Sequence, residues 1–240
     1  IRQRSGPFAL YFAGQAIEED GWRDFSPAEV RRGYLDLGFK RDGVEAHFNL
    51  TMANTFAGAT AATPAELLAI DRARTFTSPQ TTDLEVVMPS FNASVKLNEN
   101  TTLSGLAYFR KFKSRVIDGN VAEFEECDEV QAENPGATIE PDFNGDNLCT
   151  LEGTNIVQLR DRNDNPIDPG ALGFDAPFGV IDRINTDSES FGFALQGTDK
   201  RRIFGHNSHF VLGASYDQGK VDYRTQSEFG SIGDRFVVRG

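Results

Sequence analysis

No stretch of this sequence stays apolar for long. The longest uninterrupted run is Phe8 to Ala13, far short of the roughly 18 residues that a membrane-crossing helix needs. Any membrane contact must therefore be made by strands closed into a barrel. Cysteine is nearly missing, at 2 residues, which excludes a dense disulfide scaffold and a four-thiolate zinc centre. Histidine is scarce too, at 3 residues; His206 and His209 are three apart, so on a strand they face opposite sides and cannot share a metal. Basic residues are outnumbered 24 to 36, which argues against a nucleic-acid partner, whose electrostatic footprint is a basic face.

What is present is uneven. The chain holds 20 Phe and 23 Gly against 2 Met and 1 Trp, at a mean hydropathy of -0.41. Residues 117–183 carry 16 Asp and Glu against Arg160, Arg162 and Arg183, a balance of -13 within a net charge of -12, which leaves the remainder at +1. One segment owns the acidity. The basic group Arg110, Lys111, Lys113 and Arg115, with Phe109 and Phe112 among them, divides between the two faces of a strand and reads as meeting lipid phosphates or the acidic segment rather than nucleic acid.

The stretch LDLGFKRDGVEAHFNLTM, residues 35–52, carries the most information. Asp42-Gly43 suits the left-handed angles of a two-residue hairpin turn. Folding there pairs Arg41 with Val44 and Lys40 with Glu45. Leu35, Leu37 and Phe39 then oppose Leu50, Phe48 and Ala46 on one face, while Asp36, Gly38 and Lys40 oppose Asn49, His47 and Glu45 on the other. A soluble sandwich would bury the apolar face against a second sheet; an outer-membrane barrel would turn it to lipid. Soluble strands centre on about 5 to 6 residues, and a tilted strand crosses a bilayer in roughly 9 to 11. These strands are long enough to cross.

Period-2 alternation predicts about seven strands, over residues 7–18, 29–41, 44–55, 83–97, 102–116, 186–198 and 206–224. Short turns fall at 42–43, 98–101 and 198–202, and long connections fall between them, including the acidic loop 117–183. Alternate connections of an up-and-down sheet share a rim, so one rim carries tight turns and the other long loops, as in outer-membrane barrels. The reading is all-β: a single domain over residues 1–240, an antiparallel up-and-down transmembrane β-barrel segment.

Within the loops, residues 63–73 read as a short helix with Thr63 as N-cap, Pro64 at the first helical position and Glu66 three residues on. Its apolar face, Leu67, Leu68 and Ile70, is expected to pack on neighbouring loops. Cys127 and Cys149 share the acidic loop with no His between them, and read as a disulfide rather than a zinc site. Asp142, Asn144 and Asp146 have the spacing that begins many calcium loops, but Asn147 and Gly153 stand where an EF-hand needs Gly and Glu. A looser divalent-cation site, or bridging of cations to lipopolysaccharide, is the remaining metal reading; a solvated acidic loop is the plain one. GASYDQG, 213–219, approaches the G-x-S-x-G elbow but lacks its second glycine and sits in a strand. No catalytic set is found, and no enzyme is expected.

The segment ALYFAGQAIEEDGWRDFSPAEVRRGYLDLGFKRDGVEAHFNLTMAN, with TPAELLAIDR, LSGLAYFRKFK and HFVLGASYDQGKVDYR further on, resembles the barrel of TonB-dependent outer-membrane receptors. The likeness runs over nearly the whole chain. It implies a bacterial outer-membrane location among lipid and lipopolysaccharide, and a parent that captures a scarce small-molecule ligand with outer loops. That ligand would be an iron chelate such as a siderophore, or cobalamin, imported by gating driven through the TonB complex. It also implies an N-terminal plug, a TonB-contacting region before it and a C-terminal strand ending in an aromatic residue. None is present in the sequence, so an interior slice of the barrel is expected. The candidate ligand contacts are the loop segments 22–25, 63–74 and 127–182, and within them Trp22, Arg23, Phe25, Arg72, Arg74 and Phe143; no bound cofactor is expected. Two rivals remain: a passive porin and a secreted carbohydrate-binding sandwich.

Overall fold

The computed structural model describes residues 2–59, 61–174 and 177–239. Its elements run β1 (Arg2–Ser5), β2 (Phe8–Glu19), β3 (Ala28–Arg41), β4 (Val44–Gly58), α1 (Ala65–Ile70), β5 (Gln80–Lys96) and β6 (Thr101–Val121). The acidic loop follows, with β7 (Glu125–Glu126), α2 (Cys127–Glu133), β8 (Thr138–Ile139), β9 (Leu148–Glu152), β10 (Asn155–Gln158) and α3 (Pro169–Leu172). The chain then forms β11 (Phe178–Asp199), a ribbon of β12 (Arg202–Ile203) and β13 (His206–Asn207), β14 (Phe210–Ile232) and β15 (Val238–Arg239).

Nine strands form one sheet in the order β1-β2-β3-β4-β5-β6-β11-β14-β15, every pair antiparallel. Each strand lies beside its predecessor in the sheet, so this is an up-and-down meander. The sheet is open, with β1 and β15 at its edges. The seven expected strands are all present, and two short edge strands add to them. Several run further than the alternation suggested: β6 continues to Val121, β11 begins at Phe178 and β14 ends at Ile232. The acidic loop is correspondingly shorter, residues 122–177 rather than 117–183.

The expected hairpin register holds pair by pair, from Arg41↔Val44 through Lys40↔Glu45 to Leu35↔Leu50. It extends across the sheet. One row reads Leu10, Leu37, Phe48, Phe91, Ala107, Phe193 and Tyr216, strand by strand from β2 to β14. The adjacent row, one residue along each strand and so on the opposite face, reads Tyr11, Asp36, Asn49, Ser90, Tyr108, Gly192 and Asp217. The first is entirely apolar or aromatic; the second is polar except where Gly192 gives up its side chain. That glycine makes room: a Cβ there would meet Asp217 Oδ1 at 2.1 Å and the Tyr108 ring at 2.6 Å. Across it the Tyr108 hydroxyl donates to Asp217 Oδ1 at 2.7 Å, joining β6 to β14 over β11.

The apolar face remains uncovered. Phe8, Phe12, Leu37, Met52, Phe91, Phe109, Phe193, Leu195 and Leu212 are all exposed, and among the described residues no second sheet packs on them. On β4 this face stays apolar from Val44 to Met52, eight steps that cover about 27 Å of strand. At a tilt of roughly 40° that is about 20 Å of height, comparable with the apolar band of an outer-membrane barrel. Toward the long loops, from the row of Met52 and Val87 onward, the same face turns charged on β6, β11 and β14. Lys111 pairs with Glu189 and Glu189 with Lys220; Glu85, Lys113, Asp187 and Asp222 form the next row; Asp83, Arg115, Asn185 and Arg224 the one after. Lys111, Lys113 and Arg115 thus share one face, with Arg110 on the other, and Lys111 Nζ lies 2.8 Å from Glu189.

Candidate functional site

The turns at residues 6–7, 42–43, 97–100 and 200–209 lie on one rim of the sheet, and the connections 20–27, 59–79 and 122–177 on the other. The long-loop rim is where the chain has a core. Cys127 and Cys149 are joined in a disulfide, their Cα atoms 4.7 Å apart, and are wholly buried with Val130 and Ile156 beneath Ala137, Ile139 and Phe143. β7, β9, β10 and β8 form a small sheet around them. Buried Asn147 donates to Gln158 Oε1 at 2.6 Å, and Gln158 Nε2 to the Asp142 carbonyl at 2.9 Å, so the polar side chains inside are satisfied. The acidic loop is a folded unit, with its carboxylates held outward to water.

Between this unit and the ends of β6, β11 and β14 lies a cavity of about 1150 Å³. Phe229 of β14 anchors one wall, with the rings of Phe124, Phe174 and Phe178 at 5.6, 5.2 and 5.5 Å from it. Phe76, from the second loop, closes another side, and Leu148, Leu159 and Ile167 face it from the disulfide-tied unit. Arg160 and Arg162 sit at its edge with Asp182 and Glu123. Arg160 is held by the Asp142 carboxylate, which keeps the guanidinium pKa up and the carboxyl pKa below its ordinary value. Asp161 is lowered likewise, first by the backbone N–H of Asn165 and then by that of Asn163. Among the described contacts Arg162 and Glu123 have no charged partner, and Asp182 accepts only from the Ser227 hydroxyl. Aromatic walls suit a flat apolar body, while a free guanidinium and two carboxylates at the edge can orient its polar groups. No histidine or cysteine lines the cavity, and its one hydroxyl–carboxylate contact among the described residues is that of Ser227 with Asp182.

Of the loop segments expected to meet ligand, 127–182 lines much of the cavity, whereas the individually named residues lie elsewhere. Trp22 and Phe25 are exposed in the first loop. Arg23 serves the loops themselves: its guanidinium donates to the Ala59 and Ala61 carbonyls at 3.5 and 3.3 Å, to the Arg74 carbonyl at 3.5 Å and to the Thr63 hydroxyl. It ties the first long loop to the second. Gly21, at φ +74°, permits the tight fold beside it, since a Cβ there would strike the Ser26 carbonyl oxygen at 2.1 Å. Thr63 does not cap α1. Its hydroxyl donates to the Arg74 carbonyl at 3.2 Å, Pro64 takes the N-cap position, and the helix covers only Ala65–Ile70. Its apolar residues pack less than expected: Leu67 is half-buried, whereas Ile70 is 79% exposed. Arg72 is exposed, the Arg74 guanidinium lies 4.0 Å from Asp71, and Phe143 packs on the core of the acidic loop.

Asp142, Asn144 and Asp146 do not converge as cation ligands. Asp142 faces Arg160, and Asn144 Oδ1 accepts from the Asp146 backbone N–H at 3.3 Å. Among the described residues no group of three His, Cys, Asp or Glu is placed to hold a metal ion. His47 projects on the polar face as its register requires, with Nδ1 2.8 Å from Asp36. The cavity-lining phenylalanines were not singled out by sequence. Phe229 lies beyond the predicted end of its strand, and Phe124 and Phe174 sit in a loop without periodicity; their one signal is the density of Phe on either flank of the acidic segment.

No family model matches the chain, and no curated protein matches it. Among solved structures it is similar to the crystal structure of the ferric-catecholate import receptor Fiu from E. coli K12 in an open form, at 10% identity and a TM-score of 0.42. The match covers 94% of this chain and 48% of that one, so the chain spans about half the length of that structure.

Proposed function

We propose that this chain is part of the wall of an outer-membrane receptor that takes a small-molecule ligand into the cavity beneath its disulfide-bearing loop and passes it inward by TonB-coupled gating. The observation that carries the reading is the uncovered apolar face, continuous across seven strands and backed by a polar face on the same sheet. In water such a patch far exceeds the few hundred Å² that soluble monomers tolerate. Lipid is the solvent it fits. A secreted sandwich would have packed that face, and a large aromatic-walled cavity with charged groups at its edge suits the holding of a small molecule in transit.

The test is deletion of residues 122–177 from the full-length protein, with the ends of β6 and β11 joined by a short Gly-Ser linker. Strand pairing on either side is untouched, so the protein should still assemble in the membrane. Whole-cell uptake of a panel of labelled iron chelates and cobalamin should then fall sharply, and uptake by the intact protein should stop when an uncoupler discharges the proton-motive force. Uptake insensitive to both treatments would reject the receptor in favour of a passive pore.

A further inference from the structure

The four turns on the short rim are not alike. Three close at once, at residues 6–7, 42–43 and 97–100; the fourth, residues 200–209, builds its own ribbon from β12 and β13. Its sequence, KRRIFGHNSH, contains three cations and two histidines and no carboxylate, in a chain whose net charge is -12. Arg201 is neutralised by a two-pronged bond to Asp199, both contacts at 2.6 Å. Arg202 donates Nε to Asn207 Oδ1 at 3.2 Å, and among the described residues no carboxylate pairs with it. The Lys200 side chain is exposed, and no described carboxylate pairs with it.

At the tip, Phe204 and Gly205 are both left-handed, with φ 52° and 79°. This turn favours Asn or Asp at its first central position, and a bulky ring there is an outlier. Phe204 is 96% exposed, so the fold gains no burial from it. Strain kept without internal benefit points to a contact outside the chain. Its location names that contact. Phe210 and Leu212, the first residues of the apolar face on β14, follow directly and are 61% and 67% exposed. The hairpin therefore stands at the edge of the apolar band, where headgroups begin.

We infer that the Lys200–His209 hairpin is an interfacial anchor that binds anionic phospholipid headgroups in the leaflet on the short-turn side. Phe204 enters the boundary between headgroups and acyl chains, and Lys200 and Arg202 reach back to lipid phosphates on their flexible stems. Charge complementarity and continuity with the apolar band select a lipid surface over an acidic protein, because the hairpin offers a tip and no groove. This inference rests on the membrane reading above.

To test it, the full-length protein is placed in nanodiscs of phosphatidylcholine alone or mixed with phosphatidylglycerol. A bimane label is attached through Phe204→Cys or, separately, Leu50→Cys, with the native disulfide left oxidised. The label at position 50 should be quenched by acyl-chain nitroxides in both lipids. The label at position 204 should be quenched by headgroup nitroxides about twofold more strongly when phosphatidylglycerol is present, and Lys200→Gln with Arg202→Gln should remove that difference. If position 50 escapes quenching, the membrane reading itself fails. If position 50 is quenched while position 204 stays water-exposed in both lipids, the anchor alone is overturned. Protection at position 204 that ignores lipid charge and both substitutions would assign the hairpin to a protein contact, and would also overturn it.

Discussion

The large sheet and the disulfide-bearing loop invert the usual relation between composition and burial. The sheet holds most of the exposed large apolar side chains, Phe91, Phe193, Leu195 and Leu212 among them, while the strongly acidic loop holds the fully buried Leu148, Cys127, Cys149 and Ile156. A chain folded for one solvent would not divide its residues this way. The loop is built for water, with a small core inside and carboxylates outside; the sheet is built for a medium that accepts apolar surface on one face and polar surface on the other.

The sharpest way to break this comparison is to put a charge on each face of one strand. Leu50→Arg should destabilise the full-length protein in lipid by about 2 to 4 kcal/mol, as a cation near mid-bilayer does. Asn49→Arg, one residue away on the polar face, should be nearly neutral. Folding equilibria in lipid vesicles measure both, and equal effects would undo the assignment of the faces.

Unlinking the loop should act on the other half of the comparison alone. Cys127 and Cys149 are separated by 22 residues, and releasing a closed loop of that size costs up to about 3 kcal/mol. Cys127→Ser with Cys149→Ser should raise hydrogen exchange across α2, β9 and β10 and leave β3 to β5 unchanged. Exchange that rises equally in the sheet would mean that the loop holds the wall together.

A smaller effect is expected at Gly192. Ala there must push Asp217 and Tyr108 apart and break the bond between them, an overpacking cost of about 1 to 2 kcal/mol. Gly192→Ala paired with Asp217→Ala should recover part of the loss, and vesicle refolding of the two variants reads it.

The smallest effect is a matter of pH. Asp142 sits below its ordinary value of 3.8 because Arg160 bonds to it, and Asp161 is lowered by backbone donors. A depressed folded pKa gives stability that is complete above the unfolded value and lost as pH falls through the folded one. Limited proteolysis of the loop should therefore be constant from neutrality to about pH 4 and accelerate below it. Because the Asp142–Arg160 pair is solvent-exposed, Arg160→Gln should change this only slightly.

Much of the sheet was legible because its physics is local. Period-2 alternation and the Asp42-Gly43 turn specify a register, and that register, once set, fixes both faces from Arg41 to Leu35. The strand ends were not legible. Beyond Lys111 in β6 and before Glu189 in β11 the face that had been apolar carries Lys113, Arg115, Asp187 and Asn185, so the alternation that marks a strand is broken while the hydrogen-bonded ladder continues. The site was less readable still. Arg23 reaches carbonyls 36, 38 and 51 residues away, and no local pattern announces such a partner. Phe76, Phe124, Phe174 and Phe229 come together only because the disulfide-tied unit folds against β14. The calcium-like spacing at Asp142 misled for the matching reason: Arg160, far along the chain, claims the carboxylate.

The central claim is that one face of the sheet meets lipid and the other water, over a band that ends where the charged rows begin. Nitroxide labels placed singly at each residue from Val44 to Phe56, in the full-length protein in lipid, test it most directly. Collision with apolar oxygen should peak at Val44, Ala46, Phe48, Leu50 and Met52, and collision with a water-soluble nickel chelate at Glu45, His47, Asn49 and Thr51. The alternation should collapse at Asn54 and Phe56, level with Glu85 and Asp83. Nickel access to both faces along the whole strand, or an unbroken alternation through Phe56, would contradict the account.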